Sequence, residues 1–389
     1  MRNCSIVLGA RKPTPGPSLK EEPTPNPALR RCAPLTAPYS RVAQKGRGKW
    51  LLLLIAVLLA TIATPSLATN PSSFQGEARV RSGEGSTATE GWVGDGLSCD
   101  TFTILFTGDI LLDRGVRHYL EHGGMHRVIP DETAVFLRSA DVVVGNLECP
   151  ATNVHAPAFK RFVFRGDPQW LDSLRAYGFT HLNLANNHSV DQGRQGLRDT
   201  RLNVLKAGLI PFGADSTMRA AARPQQLSVP LPTGAGRGRA FLLASNRLPL
   251  ESFAYLPDRE SVSQEPFDSL VNRVKTIKMA DSTAIVIVNL HWGAEHTLRP
   301  MPQQRLEAHA LIDAGADAVI GHHTHTLQSN ELYKGKPIYY SIGNFIFDQQ
   351  KPLNTRACIV RLRITHNKIV ADAIPICIDH CAPHICWNQ

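Results

Sequence analysis

Residues 318–348 read "AVIGHHTHTLQSNELYKGKPIYYSIGNFIFD". A short apolar strand, Ala318 to Gly321, runs directly into His322, His323 and His325, and a second apolar stretch follows a "KGK" turn. Imidazoles at a strand end have two readings. In a chain with 15 histidines they are core residues that happen to cluster; alternatively they form the ligand-bearing loop of a metal site, a role that neutral imidazole fills more often than any other side chain. The choice depends on whether other strands end the same way.

Four others do. "TILFT" is followed by Gly108 and Asp109, and "DVVVG" by Asn146, Leu147 and Glu148. "THLNLA" is followed by Asn186, Asn187 and His188, and "AIVIVNL" by His291 and Trp292. Taken singly, each has a plain structural role. Asp109 would cap the next helix, Glu148 would sit in a surface turn, the asparagines would close Asx turns, and His291 would pack in the core. Taken together, that reading needs the same coincidence at five strand ends. The carboxyl edge of an open α/β sheet is where sites are built, so the set reads as one metal centre. His118 and His122 have helical i,i+4 spacing, but no third ligand accompanies them and they read as a solvated face.

The strands alternate with helical stretches near 112–122, 168–177, 194–207, 265–280 and 302–314. The last, "PQQRLEAHALIDAGA", opens on Pro302 and stops at Gly315, the asymmetry that helices prefer. Further strand candidates are "RAFLLAS", "PIYYSIGN", "RACIVRLRI" and "KIVADAIPICI". Several are continuous apolar runs, as in sheets covered on both faces. One α/β domain is therefore expected over 101–375, preceded by a Gly/Ser/Thr-rich linker, 69–100, and followed by a Cys-rich tail, 376–389.

The formal charge of +9 would suggest nucleic-acid binding if it were spread over that domain. It is not. Residues 1–49 hold ten Lys/Arg against two Glu, and eight prolines, so they read as a disordered basic leader. The rest of the chain is close to neutral, without a basic stripe, and no nucleic-acid partner is expected. "KGRGK" then precedes the apolar run Trp50–Ala68. This is either a signal peptide cleaved after Ala68 or an uncleaved signal anchor just long enough to span a bilayer. A start codon downstream of Met1 also fits the long leader. Either way the main domain is expected outside the cytoplasm, in the periplasm or on the outer face of the inner membrane. That compartment permits disulfides. The tail "CIDHCAPHIC" is expected to hold one local bridge, with zinc as the other reading.

"FTGDILLDRGV", "VVGNLECP", "LANNHSVDQGRQGL", "HWGAEH" and "GADAVIGHHTHTLQ…YKGKPIYYSIGNFIFD" resemble, in order, the motifs of the CapA family. These are poly-gamma-glutamate capsule biosynthesis proteins, a branch of the calcineurin-like metallophosphoesterase superfamily, and the likeness covers about residues 101–350. Three positions depart from the usual pattern: Thr324 for proline, His296 for an aromatic, and Asp113 for a small residue. None removes a candidate ligand.

The resemblance implies a four-layer α/β/β/α sandwich, like a metallophosphatase, around one or two divalent ions. Asp109, Asn187, His291, His323 and His325 would be ligands, and Glu148 the bridging carboxylate. Glu148 stands where the superfamily usually has Asp, which lengthens the bridging arm and leaves the ion count open. His188 would be the general acid, and Arg114 would hold an anionic substrate oxygen. Asn146, Asn186, His322 and Asn344 are expected just behind the ligands. Tyr340, Ser341 and Asn344 would line the pocket or form a tight turn. Mixed imidazole, carboxylate and amide donors suit Mn, Fe or Zn. The implied function is an exported capsule-biosynthesis protein with a metal-dependent hydrolase site for a phosphoester or an amide of an anionic polymer. The alternative is a non-catalytic, membrane-tethered partner of a capsule polymer synthase or exporter.

Overall fold

The computed structural model describes residues 101–230, 237–250, 258–365 and 368–386. The expected leader, apolar segment and linker therefore lie outside the described residues. Among the described residues no helix is long and apolar enough to cross a membrane.

The chain opens with β1 (Phe102–Ile110), α1 (Arg114–Glu121) and α2 (Asp131–Arg138). It continues through β2 (Val142–Leu147), α3 (Trp170–Ala176), β3 (His181–Asn183), α4 (Gly193–Lys206) and β4 (Ile210–Phe212). Next come β5 (Ala214–Asp215), α5 (Met218–Ala221), β6 (Gln225–Pro230), β7 (Arg237–Asn246) and β8 (Ser261–Val262). A second series follows: α6 (Phe267–Ala280), β9 (Ile285–His291), α7 (Pro302–Asp313) and β10 (Ala318–His322). The last elements are strands: β11 (Asn330–Tyr333), β12 (Lys336–Tyr339), β13 (Asn344–Ile346), β14 (Arg356–Thr365), β15 (Lys368–Asp379) and β16 (Ala382–Ile385).

Two large sheets result. One has the order β16-β15-β14-β1-β2-β3-β4, with β13 paired to β1; the other runs β11-β12-β10-β9-β7-β6. The first is parallel from β1 to its β4 edge and antiparallel on the β14–β16 side, and the second has a parallel centre with two antiparallel edges. β1 to β4 are parallel neighbours, as are β7, β9, β10 and β12.

Side-chain alternation sorts the apolar residues into three layers. Ile104, Phe106, Val142 and Val144 of the first sheet meet Leu242, Ile287 and Ile320 of the second. Leu105 and Val143 point the other way, under Val116, Leu137, Leu171 and Leu197 of α1 to α4. Val286, Val288 and Val319 pack beneath Leu270 and Val274 of α6 and Leu311 of α7. The result is helix, sheet, sheet, helix: the four-layer sandwich implied above. Each fully buried Val, Leu, Ile or Phe favours the folded state by about 1.5–3 kcal/mol of transfer free energy. All six residues of β2 are buried, which explains why it reads as a continuous apolar run.

"PIYYSIGN" is not one strand, as its apolar pattern suggested. β12 pairs with β10 in the second sheet, the chain leaves it at Tyr340, and β13 pairs with β1 in the first. The crossing requires close backbone approaches. A Cβ on Gly321 would collide with the Tyr340 carbonyl, and one on Gly108 with the Gly343 carbonyl. Both glycines immediately precede site residues, so their lack of a side chain lets the crossover bring Asn344 alongside Asp109.

Other differences from expectation lie at edges and boundaries. α2 was not foreseen, although it buries Thr133, Ala134 and Leu137 and carries Asp131 and Glu132 in its first turn, which favours a helix start. The short strands β4, β6 and β11 lacked a clear apolar pattern. The tail set apart beyond residue 375 continues the first sheet as the end of β15 and as β16. Cys377 and Cys386 form the local disulfide, while Cys149, Cys358 and Cys381 are buried thiols.

Candidate metal centre

The parallel strands of the two sheets end along a common seam, and the polar residues gather there. Asp109, near the end of β1, is wholly buried. Its Oδ1 accepts a hydrogen bond from Asn146 Nδ2 at 2.8 Å, and its Oδ2 accepts one from the His323 backbone N–H at 3.3 Å. His322 Nδ1 and His325 Nδ1 each lie 3.4 Å from one of its oxygens. Burial alone would raise this carboxyl, but the two imidazoles outweigh it and hold the group well below the usual carboxylate range.

Glu148 follows β2, pinned by its N–H to the Ile110 carbonyl at 2.8 Å. It too is wholly buried, and neither carboxylate oxygen has a hydrogen-bond partner. Burial, reinforced by Asp109, drives its carboxyl well above the usual range. His291 Nε2 lies 3.4 Å from Glu148 Oε1, and His325 Nε2 lies 3.9 Å from the same atom. A buried carboxylate without a donor is costly unless a cation compensates it.

The loop after β3 divides its work. Asn186 organises backbone: its Nδ2 donates to the Leu147 carbonyl at 2.8 Å, and its Oδ1 accepts from His188 N–H at 3.1 Å. Asn187 instead places its side-chain Oδ1 2.9 Å from His291 Nε2, facing the other sheet. His188 Nδ1 lies 2.8 Å from Asp191 Oδ2, and Asp191 Oδ1 lies 2.7 Å from Lys160 Nζ. Phe164 stacks on the His188 ring at 4.2 Å. Burial pulls this imidazole down; Asp191 works against that and Lys160 with it, and burial prevails.

The second sheet supplies the histidines. His291 ends β9 and His322 ends β10; His323 and His325 then turn back with φ of 88° and 55°. Non-glycine residues adopt this left-handed conformation rarely, and backbone strain of this kind concentrates at functional sites. Asn344 Oδ1 lies 2.9 Å from His325 Nδ1. That contact favours a proton on Nδ1 and leaves Nε2 free to bind. Burial and neighbouring imidazoles pull His291 down and bring His323 to about 3, so both rings are neutral donors at neutral pH.

Two overlapping groups have the spacing to hold an ion: Glu148 with His291 and His323, and Asp109 with Glu148 and His325. Glu148 belongs to both, the position of a bridging carboxylate. The orphaned oxygens of Glu148 and the unpartnered Nδ1 of His323 fit a divalent cation. His322 is in neither group. Asn146 bonds Asp109 and approaches His291 Nδ1 at 3.3 Å.

Arg114 is placed differently from its expected role. Its guanidinium forks onto Asp348, with Nε 3.1 Å from Oδ2, and lies over the rings of Phe164 and Phe347. The fork meant for a substrate anion is occupied by this carboxylate, so Arg114 supports the aromatic wall behind His188. Tyr340 and Ser341 are buried in the crossover, while Asn344 reaches the ligand loop. Sequence reasoning missed Asp191 and Lys160. Asp191 stands three residues after His188 within "NNHSVD", a spacing that could have flagged it; Lys160 has no local cue. It also missed His296 and Asn354. Asn354 Nδ2 donates to the His325 carbonyl at 2.7 Å and lies 3.0 Å from His296 Nδ1.

The chain is similar to several known proteins. The capsule biosynthesis protein CapA of Bacillus anthracis is 30% identical over 291 residues, covering 73% of this chain and 69% of that protein. The PGA biosynthesis protein CapA of Bacillus subtilis (strain 168) is 32% identical over 279 residues, covering 69% and 70%. Among solved structures, the calcineurin-like phosphoesterase YfkN from Bacillus subtilis aligns with 74% of this chain and 88% of its own, at 12% identity and a TM-score of 0.37. A family profile described as "Bacterial capsule synthesis protein PGA_cap" matches residues 103–349. By that match and by its CapA relatives, the chain belongs to the bacterial capsule synthesis protein family PGA_cap.

Proposed function

We propose that this protein is an exported, metal-dependent hydrolase of capsule synthesis, cleaving a phosphoester or an amide of an anionic poly-gamma-glutamate-like polymer. The observation that carries the reading is Glu148: buried, without a hydrogen-bond donor on either oxygen, and common to both ligand groups. The family membership supports the capsule role. The basic leader and apolar run before the domain support export, to the periplasm or the outer face of the inner membrane.

Asp109, Glu148 and His325 would hold one ion, and Glu148, His291, His323 and the Asn187 amide oxygen a second, with Mn, Fe or Zn suited to these donors. Such ions supply a nucleophilic water at neutral pH and offset negative charge on the reacting group. The protein's own groups do the rest. Asp191, anchored by Lys160, fixes His188 through Nδ1, so Nε2 is the atom that passes a proton to the leaving group. Phe164 keeps the ring in place and shields it from water.

The test is metal analysis of the purified protein followed by a panel of phosphoester and γ-glutamyl substrates. Asp109→Ala combined with His323→Ala should abolish both bound metal and turnover; unchanged activity in that variant would reject the reading. The competing reading, a membrane-tethered partner of a polymer synthase, is motivated by the length of Trp50–Ala68. Stoichiometric metal without turnover on any substrate of the panel would favour it.

A further inference from the structure

Beside the metal centre lies a cleft of about 380 Å³ lined by Leu298, Leu327, Pro352, Leu353 and Arg356. It is attached to the ligand loop. Leu327 is two residues beyond His325, and Asn354, between Leu353 and Arg356, holds the His325 carbonyl. Leu298 and Leu353 remain 54% and 43% exposed. Such leucines at the mouth of a cleft favour a ligand that covers them.

Arg356 is the charged residue among those lining the cleft, and two further basic residues adjoin its walls in sequence. Arg356, Arg299 and Lys351 make no side-chain ion pair or hydrogen bond among the described residues. Arg299 adjoins the lining residue Leu298, and its carbonyl accepts a hydrogen bond from Gln328 Nε2 at 3.3 Å. Lys351 adjoins the lining residue Pro352. Glu295 lies 3.7 Å from His296.

We propose that this cleft is a substrate subsite that binds one or two repeats of an aliphatic polycarboxylate chain. The apolar walls take the methylene groups, and the unpaired Arg356 guanidinium takes a carboxylate in a fork. Arg299 and Lys351 attract the neighbouring carboxylates. A nucleic acid fits poorly, because no aromatic side chain lines the cleft to stack a base. An inorganic polyanion would leave the leucines uncovered. The proposal takes its polymer substrate from the reading above, but the binding contacts do not involve the metal ligands.

The experiment titrates the full-length protein with a fluorescent γ-linked glutamate oligomer, with metal bound and after chelation, while metal content is measured separately. Arg356→Gln should weaken binding roughly tenfold, and Leu353→Ser several-fold, with metal content unchanged in both. Inorganic polyphosphate of matched charge should compete poorly. Oligomer binding that persists after chelation and still depends on Arg356 supports the subsite even where metal analysis fails the hydrolase reading. Wild-type affinity in both variants, equal competition by polyphosphate, or no oligomer binding by the folded wild-type protein would overturn it.

Discussion

Glu148 Oε1 and His291 Nε2 lie 3.4 Å apart, one at the end of a strand in each sheet, and both side chains are wholly buried. The site therefore exists only when the two sheets are packed together. A cation held between them binds the native state and not the unfolded chain, so its binding free energy adds to stability.

Chelation should accordingly lower Tm. An ion present at a hundred times its Kd stabilises by about 2.7 kcal/mol, equivalent to roughly 4–5 °C for a domain of this size. Calorimetry with and without a chelator, followed by restoration of the metal, measures the difference. A Tm that ignores the chelator, in protein shown to have contained metal, would contradict the bridging role of Glu148.

Lys160 and Asp191 form an almost fully buried pair behind His188, with side-chain exposures of 3% and 0%. Lys160→Met leaves the Asp191 charge without its cation and should cost about 3–5 kcal/mol of stability. Metal content should not change. Hydrolysis of esters with poor leaving groups should fall about 100-fold or more, and p-nitrophenyl esters, which need little protonation of the leaving group, should lose far less. A uniform loss across leaving groups would show that the pair does not act through His188.

His181 in β3 is an independent pH probe, remote from the ligand set. Burial lowers its imidazole to about 4, and its Nε2 has no hydrogen-bond partner. The unfolded chain, with an ordinary imidazole, takes up this proton at higher pH than the folded protein does. The resulting stability is complete above about pH 6.5 and is lost as pH falls towards 4, a difference of about 3 kcal/mol. His181→Phe should flatten this part of the stability profile by about one proton in urea titrations between pH 4 and 7.

Gly321→Ala tests the crossover. The added methyl would strike the Tyr340 carbonyl and come within 2.6 Å of Trp292 Nε1, which donates to that carbonyl at 2.8 Å. Moving the crossover displaces Asn344 and the histidine loop together. Urea denaturation should show a loss of about 1–3 kcal/mol, and metal analysis a lowered occupancy. Full occupancy with reduced stability would separate the crossover from the site.

Reduction of Cys377–Cys386 should destabilise the protein by about 2.5 kcal/mol, because the bond closes a short loop of the unfolded chain. The effect belongs at the β15–β16 edge, away from the metal ligands. Hydrogen exchange before and after reduction should show faster exchange at that edge, with metal content unchanged.

The strand-end residues were legible because local pattern and covalent order suffice to place them. A parallel strand with both faces covered is a continuous apolar run, and the first polar residues after it mark its carboxyl end. Asp109, Glu148, Asn187, His291, His323 and His325 all come together by that rule. The Pro302 and Gly315 bounds of α7 were legible for the same local reason. Edge strands such as β11 were not, because half-exposed residues carry weak periodicity. "PIYYSIGN" misled because its break depends on which sheet each end pairs with, and that pairing lies outside the segment.

Tertiary structure alone decided the partners. Nothing local could reveal that Arg114 spends its fork on Asp348, 234 residues away, or that Lys160 reaches Asp191. Nor could spacing show that His323 and His325 share Glu148 while His322 belongs to neither group. The amino-acid sequence by itself determined which chemical groups stand at the strand ends, since backbone periodicity is a short-range property. Which of them meet, and which are neutralised by a neighbour first, depends on distances set when two sheets pack across a common core.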